Sequence, residues 1–337
     1  MNHSDNPTNI IPKILCIALI IVVGLLCISS AQGSIGELLN AGGTHAAPTL
    51  PINIPTVRPT PSYTSPNGQS ASAGETPTPS PTATARPVLG QLAHNGAAEE
   101  IAHHTDSELE FIITRVTREK LVYYTVELAL TSPYQLLTAF AGNRITNRDY
   151  TSNIAQSNDA LLAINGDFCG YNSNGIIIRN GILYRDTAST RSLAVYDSSG
   201  NFSYIPEKDA DAQALIDAGV FHTFSFGPVL VENSQATSDE VIEEHFLSHR
   251  VREPRTAIGQ LGPLHYLILV VDGRQDASQG MLFSELQDTF VSYGVISAYN
   301  LDGGGSSTLY YNGEVINSPC VEAVSYTHLR AHETGRN

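Results

Sequence analysis

Apolar and polar positions alternate with a period of two through much of the chain after residue 105. Val122, Tyr124, Val126 and Leu128 interleave with Tyr123, Thr125 and Glu127, the pattern of a strand with one face on a core. Residues 109–116 read as its partner and 134–140 as a third strand. Residues 161–164 make a short buried strand. Asn180-Gly181 separates two β-runs within 175–184, a hairpin signal. Short strands follow at 193–196 and 202–205, and another at 224–231 is interrupted by Gly227-Pro228. Residues 255–260 and 264–271 pair across Gly262-Pro263, and the second, being the most apolar, is expected at the centre. The last strong strand, 295–299, runs into a glycine-rich loop and a hairpin-like segment at 309–317.

Helical spacing is rarer. Leu282, Leu286 and Phe290 recur at helical intervals within 281–293, and Ser284 with Gln287 forms a candidate capping box. Ala212, Leu215 and Ile216 share one side of 209–218, and 149–157 is a weaker helix. Strands dominate and helices are scattered. The expected fold is α+β, a strand-rich mixed sheet with few helices, forming one domain at 106–321.

Two segments fall outside that pattern. Residues 14–28 are apolar apart from Gly24 and two cysteines, with Lys13 before them and Ser29, Ser30 and Ala31 after. This is a secretory signal cleaved after Ala31 or an uncleaved membrane anchor. Residues 32–105 carry ten of the chain's 18 prolines, among Thr, Ser, Ala and Gly. Such a stretch buries too little apolar surface to offset its ordering entropy, and proline keeps it extended, so it reads as a disordered stalk. An extracellular or cell-surface location follows, with the membrane as partner if the first segment persists. At the other end, 322–337 lacks alternation and a helical face. Its basic, histidine-bearing composition resembles a translated adapter sequence, and the native chain is expected to stop near Val321.

The formal charge of −15 argues against nucleic acid and anionic membrane surfaces as main partners. Of four cysteines, only Cys169 and Cys320 lie outside the apolar run; they form one disulfide or two separate thiols. No CxxC or histidine-rich metal spacing is present. His222 is the one histidine placed to be worth testing.

Candidate chemistry gathers at strand ends. Asn165-Gly166-Asp167, Asp272-Gly273-Arg274 and Asn300-Leu301-Asp302 each follow an apolar strand, and Arg255-Thr256 opens one. Gly303-Gly304-Gly305-Ser306-Ser307 then supplies backbone N–H groups and hydroxyls suited to an anion or a sugar. It lacks the lysine of a P-loop. Each feature alone is equally an ordinary turn. Neighbouring strands would bring three carboxylates and a guanidinium to one sheet edge.

Five motifs occur in a fixed order: Ala163-Ile164-Asn165-Gly166-Asp167-Phe168, Phe226-Gly227-Pro228-Val229-Leu230-Val231, Pro254-Arg255-Thr256-Ala257-Ile258-Gly259, Val271-Asp272-Gly273-Arg274-Gln275 and Asn300-Leu301-Asp302-Gly303-Gly304-Gly305-Ser306-Ser307. Over 106–320 the chain resembles the phosphodiester glycosidase family. The resemblance implies hydrolysis of a sugar-1-phosphodiester, with a surface or extracellular glycan or sugar phosphate as partner. Cys169 stands where relatives often carry an aromatic residue.

Cleaving an anomeric C–O bond in such a diester expels a phosphate monoester, a weakly basic leaving group. The site then needs a carboxylate for water or C1, and donors for the phosphate. On this reading Asp302 or Asp167 is base or nucleophile, and Arg255 grips the phosphate. Residues 303–306, with the Ser306 hydroxyl, add donors, and Gly166 is a further substrate-binding position. Asp272 orients Arg255 or Arg274. Asn165 and Asn300 bond sugar hydroxyls or hold the carboxylates. No cofactor is required; the alternative is a divalent cation such as calcium on Asp167, Asp302 and Asn300. Two other classes stay open: a non-catalytic sugar-phosphate or exopolysaccharide-binding domain, and a structural surface domain.

Overall fold

The computed structural model describes residues 86–245, 250–320 and 327–331. The apolar segment 14–28 and most of the stalk lie outside them. In chain order the strands are β1 (Ala97–Thr105), β2 (Leu109–Arg118), β3 (Leu121–Leu130), β4 (Leu136–Phe140), β5 (Leu162–Asn165), β6 (Ile177–Arg179), β7 (Ile182–Arg185), β8 (Ser192–Asp197) and β9 (Phe202–Pro206). They continue as β10 (Val220–Phe224), β11 (Val229–Glu232), β12 (Gln235–Ala236), β13 (Arg255–Gly262), β14 (His265–Val271), β15 (Ser297–Asn300), β16 (Leu309–Tyr311), β17 (Glu314–Val315) and β18 (Thr327–Ala331). Four α-helices intervene: α1 (Thr151–Ser157), α2 (Ala212–Asp217), α3 (Asp239–His245) and α4 (Phe283–Ser292).

The α+β, strand-rich expectation holds. Eight strands form the main sheet in the order β1-β2-β3-β14-β13-β15-β11-β12. A five-stranded sheet runs β17-β16-β5-β18-β4, and a three-stranded one β10-β8-β9. Every pairing among the described strands is antiparallel, so the sheets are antiparallel rather than mixed. The connection β4–α1–β5 does set two strands parallel to each other. β18, antiparallel to both, separates them.

β3 is buried along its whole length, because alternate residues enter two cores. Val122, Tyr124, Val126 and Leu128 join Ile258, Ile268 and Tyr299 on one face. Tyr123 joins Leu267, Leu269 and the α4 residues Phe283, Leu286 and Phe290 on the other. A two-sided core is why β14 reads as a continuous apolar run. The approach of α4 is close: a Cβ on Gly259 would sit 3.0 Å from Phe290. The polar residue of β3 survives burial because Glu127 accepts the Gly90 N–H at 2.8 Å and meets His265 at 3.0 Å.

Four expectations change here. β1 lies inside the segment read as stalk, so the ordered region starts well before residue 106. Its side chains are mostly exposed, and it is held by main-chain pairing to β2, which alternation does not report. β18 falls within the segment read as foreign; a strand between two others is held by its backbone on both edges. The N-terminus of α4 is capped by Glu285, which accepts the Leu282 N–H at 3.0 Å. Gln287 instead bonds the Leu230 and Thr237 carbonyls. Finally, His222 is a strut: its Nδ1 accepts the Asn180 N–H, its Nε2 donates to the Leu136 carbonyl at 2.8 Å, and burial lowers its pKa to about 3.

Candidate active site

The ends of β5 and β15 meet at the mouth of the main sheet. The Asp302 N–H donates to the Gly166 carbonyl at 3.1 Å, and the Leu301 N–H to Thr256 at 2.8 Å. Asn165 fastens the junction. Its Nδ2 donates to the Asp302 carbonyl at 2.6 Å, while its Oδ1 accepts from the Thr256 hydroxyl at 2.7 Å and the Thr308 N–H at 3.1 Å. The side chain is fully buried. It therefore shapes the loop and leaves no group for a sugar.

The glycine loop follows. A Cβ on Gly303 would lie 2.8 Å from the Pro254 carbonyl oxygen, so that position requires glycine. Gly304 turns with φ +61°. Most of the amides expected to face an anion are engaged within the protein. The Gly303 N–H donates to Asp302 Oδ1 at 2.9 Å, the Gly304 N–H to Pro254, and the Ser306 N–H to Gly303. What the loop presents is the Asp302 carboxyl. Burial raises its pKa to about 6, and the neighbouring Asp167 charge adds to the rise. The Ser306 hydroxyl, the Gly303 N–H and the Arg191 charge oppose it. A half-buried carboxyl titrating near neutrality suits proton transfer.

Asp167 stands behind it, fully buried. Its Oδ1 pairs with Arg179 Nη2 at 2.6 Å, and its Oδ2 accepts the Ser225 N–H at 3.2 Å. Arg179 also donates to the Ile178 and Thr223 carbonyls and lies 4.7 Å from the Phe224 ring centre. Asp167 thus acts as a fixed charge beside Asp302. Glu207 completes this buried layer, accepting from the Ile176 N–H and the Ser189 and Ser225 hydroxyls.

Other expected residues are placed elsewhere. Arg255 is buried on the α4 side of the sheet, its guanidinium 3.8 Å from the centre of the Phe283 ring. Its Nε donates to the Met281 carbonyl at 3.2 Å and its Nη2 to Val251 at 3.1 Å. Burial lowers its pKa to about 10. Its donors brace the start of β13. Asp272 orients neither arginine: its Oδ1 accepts from Asn317 Nδ2 at 2.9 Å and the Ser318 N–H at 3.0 Å. Arg274 pairs with Glu253 at 2.5 Å and lies against Gly304, where a Cβ would meet its Nη2 at 3.3 Å. Asn300 turns its amide to the Gly227 carbonyl at 2.8 Å. Against a cation on Asp167, Asp302 and Asn300 stands the pairing of Asp167 with Arg179; the Asn300 Oδ1 is buried and makes no hydrogen bond. The two cysteines form no disulfide: Cys169 packs with Phe140 and Ile177, and Cys320 lies by Arg274.

The cation beside Asp302 is Arg191, which the sequence reading passed over. It precedes β8, and its guanidinium lies 4.9 Å from the centre of the Phe168 ring and 5.6 Å from that of Phe226. Its Nη1 donates to the Ser225 carbonyl at 3.3 Å. Its Nε and Nη2 have no hydrogen-bond partner among the described residues. The available signal was an arginine immediately before an apolar strand, the same signal that singled out Arg255. The site thus combines a near-neutral carboxyl, an arginine with open donors and a wall of Phe168 and Phe226. That set can bind an oxyanion and move a proton beside it.

Residues 158–331, just over half of the chain, match the family model described as phosphodiester glycosidase. A prophage-derived uncharacterized protein of Bacillus subtilis, YomE, is 30% identical over 224 residues, which is 62% of this chain and 34% of that protein. The bovine N-acetylglucosamine-1-phosphodiester alpha-N-acetylglucosaminidase is 32% identical over 105 residues, 30% of this chain and 20% of the enzyme. The human enzyme is 33% identical over a stretch of the same length. The chain thus spans about a third of the first relative's length and a fifth of the others'. The catalytic domain of the zebrafish enzyme superposes with a TM-score of 0.56 at 22% identity, covering 71% of this chain and 88% of that one. That likeness concerns the fold.

Proposed function

The chain belongs to the phosphodiester glycosidase family, and we propose that it is an exported hydrolase cleaving a sugar-1-phosphodiester bond in a surface or extracellular glycan. The observation that carries this reading is the Asp302 carboxyl, pushed up to about 6 and within electrostatic reach of Arg191, whose Nε and Nη2 stay open beside the Phe168 ring. The matched part of the mammalian relatives, whose name specifies an N-acetylglucosamine-1-phosphodiester, supports it. Export rests on the apolar residues 14–28 and the proline-rich stretch after them.

The chemistry follows from the geometry. Arg191 Nε and Nη2 take the non-bridging phosphate oxygens, a charge-assisted pairing that the guanidinium fork matches. Asp302, ionised above pH 6, accepts a proton from water as the water oxygen bonds to C1. The C1–O bond breaks and its electron pair leaves on the phosphate monoester. That leaving group is already stabilised as an anion, so no strong general acid is needed. Asp167, ion-paired with Arg179, lies behind Asp302, and its charge favours proton uptake there. With one free carboxyl doing the chemistry, the released sugar has inverted anomeric configuration.

The test is a panel of synthetic hexopyranosyl 1-phosphodiesters, N-acetylglucosamine included, offered to the purified full chain. Release of reducing sugar and phosphate monoester in equal amounts is expected from at least one. A folded chain that binds members of the panel and releases nothing is a binding domain, and the reading fails.

A further inference from the structure

Glu207 is a carboxylate that the chemistry above leaves unused. It is fully buried just after β9, and no lysine, arginine or histidine among the described residues pairs with it directly. Its partners are neutral donors: the Ile176 N–H on one oxygen, the Ser189 and Ser225 hydroxyls on the other. Burying a charge in this way is costly, and tying two turns together needs only a neutral acceptor. The reason for the charge lies one bond further out, where the contacts converge on Arg191. The Glu207 N–H donates to the Arg191 carbonyl at 2.9 Å. Ser189 Oγ, whose proton goes to Glu207, accepts the Arg191 N–H at 3.1 Å. Ser225, whose hydroxyl donates to Glu207 at 2.7 Å, offers its carbonyl to Arg191 Nη1 at 3.3 Å. Ser225 is itself fixed. Its N–H is tied to Asp167 at 3.2 Å, and it packs against Gly175, where a Cβ would lie 3.0 Å from its Oγ. One glutamate thus holds the backbone of Arg191 on both sides and, through Ser225, its guanidinium.

We propose that Glu207 is the positioning residue of the anion site, fixing Arg191 so that Nε and Nη2 present a preformed fork to an oxyanion. This rests on the function proposed above only in taking Arg191 as the phosphate-binding group. An arginine side chain carries about 2 kcal/mol of rotamer freedom. Holding it in place before the ligand arrives leaves less to be ordered on binding. A carboxylate suits the task because it accepts from all of its donors at once. With glutamine in its place, the NH2 group must face either the Ile176 N–H or the two hydroxyls, and one side of the clamp opens.

Calorimetric titration of the full chain with inorganic phosphate tests this without requiring turnover. Glu207→Gln should weaken phosphate binding about tenfold, a loss of about 1.4 kcal/mol. Ser189→Ala, which removes one link of the clamp, should weaken it about threefold. Melting curves check that each variant folds, and Ser189→Ala carries the test if Glu207→Gln does not. Arg255→Ala is the control, a buried arginine on the α4 side of the sheet whose loss should lower the melting temperature and leave phosphate affinity unchanged. A glutamate that only ties turns together would behave as this control does. Folded variants that lose melting temperature but keep phosphate affinity therefore overturn the proposal, as does a wild-type chain that binds no phosphate. If affinity depends on Glu207 while no diester is cleaved, the hydrolase reading fails and the positioning role stands. If diesters are cleaved and affinity ignores Glu207, the positioning role fails and the hydrolase reading stands.

Discussion

Arg255 and Arg191 begin as the same local feature. Each immediately precedes or opens an apolar strand, and each lies over an aromatic ring. They end in opposite states. Arg255 sits on the α4 side of the main sheet, with donors bound to two carbonyls and its pKa lowered by burial. Arg191 sits at the strand-end mouth, gives one bond to Ser225 and keeps donors open beside Asp302. An arginine's usefulness to a ligand is thus set by which side of a sheet it occupies and how many carbonyls it has already met.

The largest expected effect comes from the carboxyl that defines which arginine matters. Asp302→Asn should lower kcat about 10²–10⁴-fold. It should also stabilise the protein at neutral pH, and the sign is fixed by the raised pKa. Between the unfolded value of 3.8 and the folded value of about 6, the folded state holds the extra proton. Stability therefore falls as pH rises through that window, and the cost persists above it. Asparagine removes a penalty of at most about 3 kcal/mol. Denaturant midpoints for the two proteins should separate at pH 7.5 and converge below pH 4. Wild-type kcat/KM should rise with pH through about 6 and then level. A profile that instead falls through pH 6 would make Asp302 an acid and sink its role as base.

Next come the arginines themselves. Arg191→Ala should lower kcat/KM about 10²-fold while costing about 1–2 kcal/mol of stability, the scale of two ring contacts and one carbonyl bond. Arg191→Lys should recover little, since an ammonium cannot match two phosphate oxygens as a fork does. Arg255→Ala should do the reverse. It strands two carbonyls and leaves a gap against Phe283, costing about 2–4 kcal/mol, while kcat of the folded protein stays within about threefold. If the two variants exchange these signatures in parallel unfolding and kinetic measurements, the phosphate belongs to Arg255 after all.

The same contrast explains what could be read from the chain. β3, β14 and α4 were legible because alternation and helical spacing are local and strong, and their burial follows directly. The loop after β15 was legible because a carboxylate before three glycines is unusual, and Asp302 is indeed the residue it presents. Asn165, Asp272 and Arg255 were found as residues, Asn165 with the holding role it has beside Asp302 as one of its expected roles, but their partners were not legible. Each meets partners more than twenty residues away — Thr308, Asn317 and Met281 — that no local pattern contains. Arg191, Arg179 and Glu207 were missed for the same reason. Their importance arises only when β8, β6 and the segment after β9 close around Asp167. β1 escaped because an exposed edge strand is held by backbone bonds and carries no apolar stripe.

The smallest effect sharpens the comparison from a third position. Arg274 lies on the outer side of the glycine loop, against Gly304 and paired with Glu253. Its side chain is about half exposed, so the ion pair is screened by solvent and should contribute no more than about 1 kcal/mol. Its charge reaches the substrate through water rather than by contact, on a scale that salt suppresses. Arg274→Ala should therefore change kcat/KM less than fivefold, and that change should vanish at about 0.5 M salt, where the screening length is a few ångströms. The Arg191→Ala defect should persist at the same salt, because a direct fork on phosphate sits inside that length. Should the Arg274→Ala loss match that of Arg191→Ala and resist salt, then the phosphate sits over the glycine loop and not at Arg191.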